Sequence, residues 1–106
     1  MSRRKSASVI TIAGGDCFGY AAMTAIKNNR GVVVHALVRP WGKKYHHAWL
    51  ERRGKVYDWQ TMTLGNKKPV PVATFYRIYT PTSIIRYTAL QAAKNVLKYQ
   101  HMGPWD

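Results

Sequence analysis

Val32 to Val38 reads Val-Val-Val-His-Ala-Leu-Val, the most strand-like run in the chain. Its near-continuous apolar character marks it as a central strand of a sheet. A central strand needs partners on both sides, and 106 residues leave room for one modest core around it. Tyr45 to Glu51 reads as a second strand, Arg53-Gly54 as a tight turn, and Lys55 to Gln60 as a third strand. Thr74 to Tyr79 alternates well enough for a fourth. Between the third and fourth, Thr61 to Pro71 is rich in Gly, Asn, Lys and Pro and is expected to be a surface loop.

Helices are expected at both ends. Ser8 to Ala13 is strand-like and runs into Gly14-Gly15, a turn signal. Beyond it Phe18, Ala21, Ala22, Ala25 and Ile26 recur at helical spacing, with Asp16 as N-cap, an end near Asn29 and Gly31 as C-terminal cap. Pro81-Thr82-Ser83 breaks the later pattern. Thr88-Ala89-Leu90-Gln91 then matches a capping box, opening a helix from Ala89 to about Gln100 with Leu90, Ala93, Val96 and Leu97 on one side. Gly103-Pro104 stops it. The order is strand, helix, several strands, helix. That predicts an α+β domain, residues 8–106, with helices packed on an antiparallel sheet of three to five strands, preceded by a basic flexible arm at residues 1–7.

The charge is far from average. Seventeen Lys and Arg stand against four Asp and Glu, a formal net charge of +13. Such a surplus points to an anionic partner such as nucleic acid or an acidic cell-wall polymer. Four Trp and seven Tyr could add stacking faces, although most fall in expected strands, where core packing explains them equally well. No stretch is long enough to span a membrane, and no signal peptide follows the basic N-terminus, so a cytoplasmic protein is expected.

Cys17 is the only cysteine, which excludes an internal disulfide and a Cys-rich zinc site. At a helix start a thiol faces unpaired N–H groups and the positive end of the helix dipole, both of which favour the thiolate. A buried cysteine also serves as a small hydrophobe. The Arg53-Gly54 turn is what connects Cys17 to further chemistry. A two-residue turn there pairs Arg52 with Lys55, Trp49 with Asp58 and His47 with Gln60. His47 and Asp58 then share a face as diagonal neighbours, within reach of an imidazole–carboxylate hydrogen bond. Cysteine at a helix start, histidine on a strand and an acid that orients it satisfy the needs of thiol acyl transfer. Each residue also has an ordinary explanation, His47 as a surface residue and Asp58 as partial balance for the cations. His35, inside the central strand, reads as a core histidine.

Cys17, then His47-Ala48-Trp49-Leu50-Glu51 on a strand, then Val56-Tyr57-Asp58, resembles the core of transglutaminase-like and papain-like cysteine enzymes. Asp16-Cys17-Phe18-Gly19-Tyr20 is also similar to the Asp-Cys-Ser-Gly-aromatic motif of NlpC-type amidases, with Phe18 at their serine. The resemblance covers about residues 14–60. It implies a minimal papain-like fold, with Cys17 as nucleophile, His47 as general base then acid, and Asp58 as orienting group. It implies a peptide or other amide or ester substrate and no cofactor. Thr11 stands where papain-like peptidases carry a glutamine, so the oxyanion would rely on the Cys17 N–H and a second, unidentified donor. The tail His101 to Asp106 resembles those of small phage-encoded proteins, which implies association with a virion if the chain has that origin. Two functions follow, in different classes. One is a thiol hydrolase or acyltransferase; the alternative is an inactive basic binding or virion-associated module on the same scaffold.

Overall fold

The computed structural model describes residues 17–58 and 68–105. The expected arm, the strand at 8–13, the Gly14-Gly15 turn, the Asp16 cap and Gln60 lie outside them. The described chain runs α1 (Cys17–Asn28), β1 (Val32–Val38), a 3-10 turn (Pro40–Gly42), β2 (Tyr45–Arg52), β3 (Lys55–Tyr57), β4 (Val70–Pro71), α2 (Val72–Tyr79), β5 (Thr82–Thr88) and α3 (Ala89–Tyr99). The fold is α+β. Five strands form one sheet in the order β4-β3-β2-β1-β5, and every pairing is antiparallel.

β1 is central, as its composition demands. Its residues alternate between two cores. Val33 packs with Ala48, Leu50 and the alanines of α1 and α3, while Val34, Ala36 and Val38 pack with Trp49, Val56 and α2. Helices therefore cover both faces, which is why β1 can be apolar throughout. At its entry Gly31 has φ 83°, and a Cβ there would lie 2.9 Å from a Leu50 methyl, so backbone conformation and space both require glycine.

Three expectations are corrected. Thr74 to Tyr79 is helix, not strand. Val72, Phe75, Tyr76 and Tyr79 lie at i, i+3, i+4 and i+7, and Phe75 and Tyr79 are buried against the sheet. The aromatic content favours strand locally, but burial of this stripe decides the outcome. Pro81-Thr82-Ser83, expected to be a break, instead leads into the edge strand β5. Pro81 and Ser83 mark an irregularity in it rather than its absence. The register with β1 shifts between His35↔Ile85 and Leu37↔Thr82, and Ser83 in between has φ 52°. Val70–Pro71, expected in a loop, adds the other edge strand.

The capping box forms as read: Thr88 Oγ1 accepts the Gln91 N–H, and Gln91 Oε1 accepts the Thr88 N–H. The buried side of α3 is nevertheless Ala89 and Ala92, with Val96 half-buried. Leu90 and Leu97 are 62% and 79% exposed. Alanines on both helices, Ala21, Ala22 and Ala25 facing Ala89 and Ala92, share one core, and bulkier side chains are turned outward. The C-terminal turn seals this side. Trp105 is buried beside His35, donates its indole N–H to the His101 carbonyl, and its own carbonyl accepts the Tyr87 hydroxyl.

Candidate active site

The hairpin register follows from its turn. Arg53 and Gly54 both have positive φ, 54° and 76°, the type I′ geometry that joins antiparallel strands through two residues. Arg52 faces Lys55 and Leu50 faces Tyr57. One step further sets Asp58 opposite Trp49. Asp58 Oδ1 and His47 Nε2 are 2.8 Å apart, with both side chains buried. Asp58 thus engages Nε2, which leaves Nδ1 as the other polar atom of the ring. Cys17, in the first turn of α1, hydrogen-bonds His47 through its side chain. The three residues singled out in the sequence form one hydrogen-bonded chain.

They come from different layers. Cys17 belongs to the core shared by α1 and α3. His47 lies on the α2 side, with its ring stacked on Tyr79 at 5.8 Å and an interplanar angle of 8°. The site sits where the two cores meet. Exposure is 2% for Cys17, 1% for His47 and 0% for Asp58.

An aromatic box holds the imidazole. Tyr45 is 5.7 Å away edge-on and Trp49 is 5.9 Å away, tilted. Phe75 stacks behind Tyr79 at 4.2 Å. Tyr45, His47, Trp49 and Glu51 alternate onto one face of β2. Glu51 fixes the far end of this row. Its Oε2 accepts the Trp49 indole N–H at 2.9 Å and the Tyr76 hydroxyl, which also accepts from Arg86. Tyr45 is not singled out in the sequence, although strand alternation from His47 is a signal that reaches it. Tyr79 gave no sequence signal, because its segment reads as a strand.

Burial pulls the His47 pKa down. Hydrogen bonds to Asp58 and Cys17 and the field of the two groups outweigh it and push the imidazole up to about 9. His47 is therefore an imidazolium at neutral pH, with the Asp58 carboxylate on Nε2 and Cys17 as a further hydrogen-bond partner. Burial, then the nearby Asp58 charge, pushes the Tyr79 phenol up to about 12, so its face stays neutral against the imidazolium. His35 and His101 lie elsewhere. His35 packs among Phe18, Tyr87 and Trp105 as a core residue, and His101 Nδ1 accepts the Gly103 N–H.

A stability prediction follows from the His47 shift. The folded value, about 9, lies above the ordinary 6.5. His47 thus contributes stability that is fully present below pH 6.5 and lost as pH rises through about 9. Urea midpoints should fall across that window in the wild type and stay flatter in His47→Gln. Parallel curves for the two proteins would contradict the assignment.

No family model matches the chain, and no curated protein or solved structure matches it either. Among the described residues, no three His, Cys, Asp or Glu side chains converge as a metal site would require, and no helix is long and apolar enough to cross a membrane. The arrangement can stabilise a thiolate, supply a proton to a leaving group, and hold the imidazole in one orientation throughout.

Proposed function

We propose that this protein is a small papain-like or transglutaminase-like thiol hydrolase or acyltransferase acting on an amide or ester. The observation that carries the reading is the hydrogen-bonded chain Cys17–His47–Asp58. The Cys17 sulfur attacks the acyl carbon. The His47 imidazolium gives its proton to the departing amine or alcohol, leaving a thioester. Neutral His47 then removes a proton from water or an acceptor amine, which displaces the sulfur. Asp58, hydrogen-bonded to Nε2, keeps the ring in place. The Cys17 backbone N–H, in the first turn of α1, is one donor for the oxyanion.

Intact-mass spectrometry tests the reading. Native protein is offered a panel of activated esters and amides, and an acyl adduct is expected on Cys17 at neutral pH. Native alkylation of Cys17 is likewise expected in the folded protein, and His47→Ala should slow it. Cys17 that stays unmodified until the protein is denatured would make it a core residue and end the proposal.

A further inference from the structure

Between β1 and β2 the chain reads Arg39-Pro40-Trp41-Gly42-Lys43-Lys44, three cations and no acid around one tryptophan. Trp41 is 87% exposed. Its backbone lies at φ 53° and ψ 32°, the left-handed region that bulky residues rarely enter. The turn itself is fixed. Pro40 is buried, the Arg39 N–H donates to the Tyr79 carbonyl at 2.8 Å, and the Lys43 N–H donates to the Pro40 carbonyl at 3.1 Å. Core packing does not explain an indole held in water by an anchored, strained turn.

Its position relates it to the triad. The Trp41 ring meets Tyr79 edge-on at 6.4 Å, and Tyr79 stacks on His47. Two ring contacts separate the indole from the imidazole. An extended chain advances about 3.3–3.6 Å per residue, so a substrate residue about three places from the acyl carbon would reach Trp41. Beside the loop lies a cavity of about 230 Å³ lined by Leu37, Val38, Arg39, Lys44, Thr80 and Thr82. It offers two cations and two hydroxyls and no carboxylate. Of the acidic residues among those described, Asp58 pairs with His47 and Glu51 faces Arg86. Neither neutralises Arg39 or Lys44.

We propose that the Trp41 loop and this cavity form the substrate subsite of the Cys17 centre and select an acidic peptide segment. Its carboxylates would enter the cavity between Arg39 and Lys44, and an apolar or aromatic side chain would lie on the Trp41 face. The inference rests on the thiol-acyl-transfer reading. A peptide is favoured over nucleic acid because the adjacent centre acts on an acyl carbon, which a phosphodiester chain does not present. The cavity also gathers a pair of cations in one place rather than a track along a backbone.

The test uses the full chain with Cys17→Ser, so that binding is read without turnover. Fluorescence anisotropy compares a short peptide carrying Asp and Glu beside a tyrosine, its Asn and Gln twin, and a single-stranded oligonucleotide of the same net charge as the acidic peptide. The acidic peptide should bind about tenfold or more tighter than its twin. Lys44→Glu should erase that preference, and Trp41→Ala should weaken binding about two- to tenfold. Equal binding of the twin, a preference that survives Lys44→Glu, or tighter binding of the oligonucleotide would overturn the subsite. Native alkylation of Cys17 in the otherwise wild-type protein is read separately. Alkylation without acidic-peptide preference removes the subsite and leaves the nucleophile standing. Absence of native alkylation removes the nucleophile, and the subsite with it.

Discussion

Cys17→Ser should abolish turnover, by at least about 10³-fold, while leaving the fold and the charge intact. The exchange is nearly isosteric, so the α1 alanine packing is preserved and urea stability should change by no more than about 1 kcal/mol. The large effect comes from His47. An imidazole held protonated by the Asp58 carboxylate is a poor base toward a serine hydroxyl at neutral pH. It can stand opposite a thiolate, and the site is arranged for that acid. The same variant separates enzyme from binding module. Binding of DNA or RNA through Lys and Arg would fall steeply with salt and would be the same in both proteins. Turnover that disappears with the sulfur, with little such binding, supports the enzyme. Salt-sensitive binding by both proteins with no turnover by the wild type would identify a basic binding module on this scaffold.

The site was more legible than the fold around it, for a physical reason. The His47–Asp58 pairing needs only a two-residue turn and the period of a strand, both local properties, and Arg53-Gly54 supplies the turn. Likewise, the Thr88 capping box depends on four consecutive residues. The errors all involve tertiary choices. Thr74 to Tyr79 has strand-forming side chains, and its helix is decided by Phe75 and Tyr79 entering a core formed by distant Val34, Val38 and Trp49. Pro81-Thr82-Ser83, at the entry to β5, reads as a break until the pairing of β5 with β1 is seen. On α3, leucines outrank alanines in any hydrophobic pattern, yet close helix contact selects Ala89 and Ala92 for burial. The resulting helix α2 carries Tyr79 against His47, so the aromatic box was hidden by the same error that hid the helix.

Asp58→Ala should be the most damaging single change, because it acts on stability and rate together. The His47–Asp58 pair is buried, and removing one member leaves an imidazolium in the core with no carboxylate. Such losses cost about 3–5 kcal/mol, a large fraction of the stability of a small domain. The alternative for His47 is to give up its proton, which removes the acid needed by the leaving group. Activity should then fall by about 10³–10⁴-fold, as when an orienting acid is lost from comparable triads. Asp58→Asn separates the two effects. An amide oxygen can still accept the Nε2–H, so orientation survives while the negative charge does not. Asn should therefore recover most of the stability and part of the rate, with the basic limb of the pH–rate profile moved below about 9. The measurements are urea midpoints and pH–rate profiles for wild type, Asp58→Asn and Asp58→Ala. If Ala matched the wild type in both, or if Asn and Ala were equally impaired with no movement of the basic limb, Asp58 would have no orienting role. The hydrogen bond to His47 would then be a structural contact only.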